Sequence, residues 1–81
     1  MHRKDIITNL TDVKDGKTGI IISIMSGRHA AKRLADLGLT TGTEIKVLRK
    51  HFFSGPVEIE VSGSRLVLGR GLASKIIVEI K

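Results

Sequence analysis

The stretch VEIEVSGSRLVL, residues 57–68, restricts the fold of this 81-residue chain more than any other part of it. Apolar and acidic residues alternate from Val57 to Val61, which is the two-residue period of a strand with one buried face. Gly63 and Ser64 then suit a two-residue hairpin turn. The turn predicts two apolar cross-strand pairs, Val61 with Leu66 and Ile59 with Leu68. The stretch therefore predicts two antiparallel strands that share one apolar face.

Three further segments alternate in the same way and are predicted to be strands. Their inward positions are Ile20, Ile22 and Ile24 in GIIISIM, Ile45 and Val47 in TEIKVLRK, and Ile76, Val78 and Ile80 in KIIVEIK. Ile21 would fall on the opposite face of its strand, where the alternation gives it no burial. The chain is thus predicted to contain five short strands.

The period changes to that of a helix in SGRHAAKRLADLGL, between the first two of these five strands. The apolar stripe of this helix consists of Ala30, Ala31, Leu34, Ala35 and Leu37. The opposite side carries Arg28, Lys32 and Asp36. Ser26 is the expected N-cap. We expect Gly38 to take the left-handed position that ends many helices, so that Leu39 contacts Leu34.

A sheet this small has to close on itself or be covered, because otherwise its edges and apolar faces stay exposed. Isoleucine, valine and leucine dominate the apolar residues and only two residues are aromatic, a mix that favours strands. We therefore predict a mainly β fold, a small five-stranded SH3-like barrel with one short α-helix after the first strand. Residues 1–81 are expected to form a single domain, with its core between about residues 10 and 80.

No catalytic or metal-binding constellation can be assembled from the sequence. Cysteine is absent, and His2, His29 and His51 have no carboxylate or second histidine at ligand spacing on the same element. The Gly-x-Gly of LGRGLAS lacks the rest of either nucleotide-binding fingerprint, so it is predicted to be a tight turn or a single helical turn between strands. We expect no enzyme, no small-molecule substrate, no cofactor and no metal site. Iron sensing through His29, His51 and carboxylates is left as an alternative.

Fourteen basic and eight acidic side chains give a formal charge of +6, which favours an acidic partner, a nucleic acid or anionic lipid. A nucleic-acid-binding barrel is thus an alternative, although two adjacent aromatic residues give few stacking platforms and disfavour it. The longest apolar run is far shorter than the roughly 20 residues of a membrane helix. The start of the chain lacks a secretory signal. We therefore expect a cytoplasmic protein that does not insert into the membrane.

The chain contains the segments LTDVKDGKTGIIISI, RHAAKRLADLGLTTGTEIKVL and GPVEIEVSGSRLVLGRGLASKIIVEI, from about Leu10 to Ile80. Together they resemble the FeoA family, the small cytoplasmic proteins of bacterial ferrous iron transport. The family pattern RRL.DLGL..G..V.V is matched by Arg33, Leu34, Leu37, Gly38, Leu39, Gly42, Ile45 and Val47. The ending G..LALGR..A..I.V is matched by Gly63, Leu66, Leu68, Gly69, Arg70, Ala73, Ile76 and Val78. Lys32 replaces the first arginine of the first pattern.

The resemblance implies an SH3-like barrel that binds and modulates FeoB, the ferrous iron transporter with a cytoplasmic GTP-binding domain. The same module occurs in iron-dependent repressors, which is an alternative context for this fold. Most of the matched residues serve turns or the core, so a partner surface is expected among the others. The candidate partner-binding residues are Phe52, Phe53, Met25, Arg28, Lys32 and Arg33. The protein itself is expected to be a monomer or to self-associate weakly.

Overall fold

The computed structural model describes residues 6–25, 27–50 and 55–81. The strands of this part are β1 (Ile6–Asn9), β2 (Thr18–Ile24), β3 (Glu44–Lys50), β4 (Val57–Val61), β5 (Ser64–Leu68) and β6 (Ile76–Ile80). They form one antiparallel sheet in the order β1-β6-β2-β3-β4-β5, so that β1 and β5 are its two edges. The helices are α1 (Arg28–Asp36) and the single turn α2 (Arg70–Ala73), and a 3₁₀ turn covers Leu10–Asp12.

One apolar cluster receives side chains from five strands, both helices and the 3₁₀ turn. Its members are Leu10, Val13, Ile21, Leu34, Leu39, Ile45, Val47, Val57, Ile59, Val61, Leu68, Ala73, Ile76 and Val78. Because strands from β2 to β6 all point side chains into this cluster, the sheet is curved around a common core. The prediction of a mainly β fold with a short helix between strands is confirmed, as is the helical turn at LGRGLAS.

β1 adds a sixth strand to the five that the sequence predicts. It pairs with β6 from Ile6 opposite Ile80 to Asn9 opposite Ile77. Ile6 and Ile7 are 62% and 58% exposed, so neither face of β1 is buried in the core. The strand therefore lacks the apolar alternation by which the other five are recognised.

β2 departs from the predicted alternation, since its buried hydrophobic side chain is Ile21. Ile21 lies opposite Val78, but Ser23 lies opposite Ile77, so β2 has one extra residue at this point. Such a β-bulge exchanges the two faces of a strand beyond it. Ile24 consequently lies opposite the buried Ile76 and packs against the core. The predicted common inward face of Ile20, Ile22 and Ile24 is wrong, because these residues are only partly buried and the bulge interrupts their period.

The β4–β5 hairpin forms as predicted, but its register is different. Ser62 and Gly63 make the turn, with φ angles of 51° and 81°, and Val61 lies opposite Ser64. The observed apolar pairs are Ile59 with Leu66 and Val57 with Leu68. Two positive φ values in a two-residue loop are typical of a type I′ turn, which favours glycine at its second position. The predicted turn at Gly63-Ser64 placed this glycine first, and the resulting slip of two residues leaves the same side chains on the apolar face.

This register predicts opposite responses to asparagine at two serines. Ser62→Asn should raise the free energy of unfolding by about 0.5 kcal/mol, because asparagine relieves part of the left-handed cost of roughly 1–2 kcal/mol. Ser64→Asn should leave it unchanged or lower it, since Ser64 is a strand residue. Urea unfolding followed by circular dichroism measures both. A stabilising Ser64→Asn with a neutral Ser62→Asn would support the register predicted from the sequence instead.

The end of α1 is fixed by a Schellman motif. Gly38 has a φ of 86°, and its N–H donates to the carbonyl of Ala35 at 2.9 Å. The N–H of Leu39 donates to the carbonyl of Leu34 at 2.8 Å. Both leucines are fully buried, as the predicted apolar contact of this motif requires. The predicted helix end at Gly38 is therefore confirmed.

Fewer side chains of α1 pack against the core than its predicted apolar stripe contains. Leu34 is its buried side chain, Ala30 and Ala31 are partly buried, and Ala35 and Leu37 are exposed. The N-cap is Gly27 rather than the predicted Ser26, which lies outside the described residues. α1 is thus attached to the core chiefly through one leucine and the capped end of the helix.

Candidate functional site

The three basic residues that we selected from the sequence are exposed on α1. Arg28 and Lys32 are one helical turn apart, and Arg33 follows directly. The buried Leu34 fixes the orientation of the helix and leaves this basic side in solvent. Together with Met25 we call these side chains the α1 surface. Three of the six candidate residues therefore lie on one helix, and Met25 lies three residues before its start.

Met25 connects β2 to this helix. Its N–H donates to the carbonyl of Lys75 at 2.6 Å, which ties its backbone to the segment that leads into β6. The side chain is 64% exposed, and the Ser23 hydroxyl lies 3.9 Å from its sulfur. An exposed, flexible thioether can adapt its shape to the apolar part of a partner surface.

The start of α1 is electrostatically unfavourable for the isolated protein. No acidic residue lies in the first turn, and the N-cap residue makes no side-chain hydrogen bond. Arg28 and His29 occupy this turn instead, next to the partial positive charge of the helix N-terminus. Because Arg28 adds a like charge there, stability of the free protein does not explain its presence.

Charge reversals at the two ends of α1 are expected to change stability in opposite directions. Arg28→Glu should raise the free energy of unfolding by about 0.3–1 kcal/mol, since a carboxylate at the helix N-terminus complements the helix dipole. Arg33→Glu should lower it by a similar amount, about 0.3–1 kcal/mol, because Arg33 lies in the last turn. Urea unfolding at low ionic strength measures both. A loss of stability in Arg28→Glu would mean that Arg28 has a structural role.

Phe52 and Phe53 lie outside the described residues, so their role as partner contacts stays a prediction from the sequence. Hydrogen bonds are described on both sides of the connection that contains them. Lys50 donates from its Nζ to the carbonyl of Thr11 at 3.0 Å. Arg70 donates from its guanidinium to the carbonyl of Gly55 at 3.5 Å. The two cations therefore link the end of β3 and the start of β4 to the 3₁₀ turn and to α2.

These two hydrogen bonds give Lys50 and Arg70 structural roles that were not evident from the sequence. Arg70 belongs to the LGR motif, and Lys50 ends a strand, but their partners are 15 and 39 residues away along the chain. Local spacing contains no signal for such a distant partner. The sequence also gave no indication of the exposed isoleucines of β1, since these lie on no predicted strand.

The bond from Lys50 to Thr11 is expected to contribute to stability. Lys50→Met should lower the free energy of unfolding by about 1–2 kcal/mol, because a partly buried carbonyl loses a charged donor. Lys46→Met on the same strand is the matched control and should change it little, since Lys46 is exposed. Thermal and urea unfolding compare the two variants. Equal effects would show that the bond of Lys50 is not a net contributor.

No metal-binding group is assembled in the described ranges 6–25, 27–50 and 55–81. These ranges contain no cluster of three histidine, aspartate or glutamate residues that could hold an ion. His29 is exposed on α1, and His2 and His51 lie outside the described residues. The surface that the structure does present is suited to binding an anionic or mixed apolar and acidic partner.

The order of the antiparallel strands, the short helix and the single core define a small SH3-like β domain. A family model of the FeoA domain matches residues 8–80. A protein of Methanocaldococcus jannaschii provisionally named Fe(2+) transport protein A is 41% identical over 70 residues, which cover 86% of this chain and 83% of that protein. The chain belongs to the FeoA domain family, as its sequence motifs predicted.

Solved structures agree with this assignment. The crystal structure of an iron uptake regulatory protein, FeoA, matches with a TM-score of 0.88 and 36% identity, and covers 94% of this chain and 100% of that one. A manganese-dependent transcriptional repressor matches with a TM-score of 0.86 over 98% of this chain and 44% of the repressor. Its identity of 21% shows a shared fold alone. The SH3-like fold class is confirmed by both comparisons.

Among the described residues, no helix is long and apolar enough to span a membrane.

Proposed function

We propose that this protein is a non-catalytic accessory protein of ferrous iron uptake, which acts in the cytoplasm by binding the cytoplasmic region of a FeoB-like transporter. Membership of the FeoA domain family supports this role. The relative provisionally named for Fe(2+) transport supports the same process. The exposed basic residues of α1 would supply a docking surface for such a partner.

The observation that carries this proposal is the uncompensated charge of the α1 surface. Arg28, Lys32 and Arg33 are exposed, and none of them forms an ion pair with another described residue. Asp36 is the single carboxylate on this helix. Exposed charges of one sign accelerate the encounter with an oppositely charged partner and fix its orientation. Met25 adds an apolar contact at the edge of the same surface.

A partner that places carboxylates at the start of α1 would offset the repulsion between Arg28 and the positive end of the helix dipole. Its negative charge would interact with Arg28 and with the helix N-terminus at the same time. Binding energy would then come from a feature that is unfavourable in the free protein. This is the expected arrangement for a residue retained for an interaction rather than for folding.

Titration of the transporter's cytoplasmic region, with and without guanine nucleotide, tests the proposal. Arg28→Gln/Lys32→Gln should weaken binding by about tenfold or more, equal to about 1.4 kcal/mol. Lys46→Gln/Arg65→Gln removes the same charge from the outer face of the sheet and should retain wild-type affinity. Both double variants should remain folded, because all four side chains are exposed.

Three outcomes would contradict this proposal. The first is the absence of binding by the wild-type protein in either nucleotide state. The second is equal weakening by the two double variants, which would indicate attraction to net charge without a defined surface. The third is tight binding to duplex DNA or RNA with a steep salt dependence, which would favour the nucleic-acid-binding alternative.

A further inference from the structure

A groove with an apolar floor lies beside the edge strand β1. Its volume is about 380 Å³, at the lower end of the roughly 300–1,000 Å³ found for ligand pockets. Ile6 of β1, Ile80 of β6 and Val13 after the 3₁₀ turn supply its apolar side chains. Val13 is only 2% exposed, so the groove reaches the margin of the core. We call this feature the lysine groove, after the residues that surround the floor.

Most of the charged residues that line the groove are basic. Lys14, Lys17 and Lys81 line it together with one carboxylate, Asp12. Lys81 lies 3.3 Å from Glu44 and is therefore partly compensated. Lys14 and Lys17 are exposed and form no ion pair with another described residue. The groove thus combines an apolar floor with two uncompensated cations at its rim.

The groove lies over the paired strands β1 and β6 and extends to the start of β2. Ile6 of β1 lies opposite Ile80 of β6, and both line the floor. The N–H of Lys81 donates to the carbonyl of Thr18, the residue after Lys17. An extended segment that crosses these strands can therefore contact the apolar floor and the rim lysines together.

We propose that the lysine groove binds an acidic, extended peptide segment of a partner protein. Apolar side chains of the segment enter the floor at Ile6, Val13 and Ile80, and its carboxylates interact with Lys14 and Lys17. This surface shares no residue with the α1 surface and is a second interaction site of the protein.

The charge and shape of the groove favour an acidic peptide over three other occupants, which are a second copy of the chain, residues 1–5 and a lipid bilayer. A second copy of the chain carries the same net charge of +6 and would bring further cations to the lysines. Residues 1–5 are also basic in sum, since Arg3 and Lys4 accompany a single Asp5. A bilayer contacts protruding side chains, whereas the buried Val13 lies at the bottom of the groove.

Nuclear magnetic resonance shift mapping with a defined probe tests this inference. The probe is a short capped peptide in which glutamate alternates with valine. Its control has lysine in place of glutamate. We expect the acidic peptide to shift amide signals of β1, the end of β6 and the segment from Asp12 to Lys17. The lysine peptide should shift none of them.

Variants distinguish the contribution of the rim lysines to peptide binding from that of the apolar floor. Lys14→Gln/Lys17→Gln should weaken binding of the acidic peptide about tenfold or more, and Ile6→Gln should weaken it without any change of charge. Lys46→Gln/Arg65→Gln is again the matched control and should keep wild-type affinity. Ile6 is already 62% exposed, so its replacement leaves the core intact.

Several results would overturn the proposal. Shifts confined to α1, or equal binding of the two peptides, would remove the groove as the recognition site. Binding to vesicles of phosphatidylglycerol but not to peptide would assign it to a lipid surface. Concentration-dependent self-association that Ile6→Gln abolishes would assign it to a second copy. The result is independent of the transporter titration, since a variant of one surface leaves the other unchanged.

Discussion

The bulge in β2 is the constraint on which the arrangement of this domain depends. β2 is the one strand that pairs with both β3 and β6, so it joins the two halves of the sheet. The extra residue between Ile21 and Ser23 allows Ile21 and Ile24 both to face the core, three positions apart. Without it, strict alternation would turn one of them outward. Beyond the bulge the chain leaves β2 through Ile24 and Met25 and then enters α1.

The position of α1 follows from this exit and from its opposite end. The backbone of Met25 is hydrogen-bonded to Lys75 before the helix begins, and the Schellman motif at Gly38 joins its end to buried leucines. Between these two points a single fully buried side chain, Leu34, contacts the core. A helix fixed at both ends needs little apolar surface along its length. Its remaining positions are therefore available for charges, including Arg28, which are unfavourable for the isolated helix.

Sequence patterns predicted the features that depend on neighbouring residues. The helix end at Gly38 requires only a glycine after an apolar stripe, and the strands β3 to β6 were recognised by alternation, so both were predicted correctly. The extra residue between Val47 and Arg49 in the pairing of β3 with β4 was not predicted. The hairpin register was wrong because Gly63 fits either turn position, and a slip of two residues preserves the apolar face. The bulge near Ile21 and the partner of Lys50 depend on distant strands and turns, so local spacing contains no signal for them. The α1 residues were predicted as candidates, whereas the lysine groove was not, because its lining comes from both ends of the chain.

The register of the sheet explains how scattered charges in the sequence become defined surfaces. On its outer face Lys46 and Arg65 lie opposite Glu60, and Arg49 lies opposite Glu58. Opposite charges at such cross-strand positions attract one another, and Lys46 and Arg65 share the single carboxylate of Glu60. Lys50 and Arg70 bind backbone carbonyls instead. Among the described residues, Arg28, Lys32 and Arg33 on α1 and Lys14 and Lys17 at the lysine groove have neither a carboxylate nor a carbonyl partner of this kind. Met25 lies three residues before α1 and Ile6 lines the groove, and both are exposed apolar side chains. A protein whose charge served solubility alone would have no reason to place it beside these side chains, since isolated charges elsewhere would act equally well.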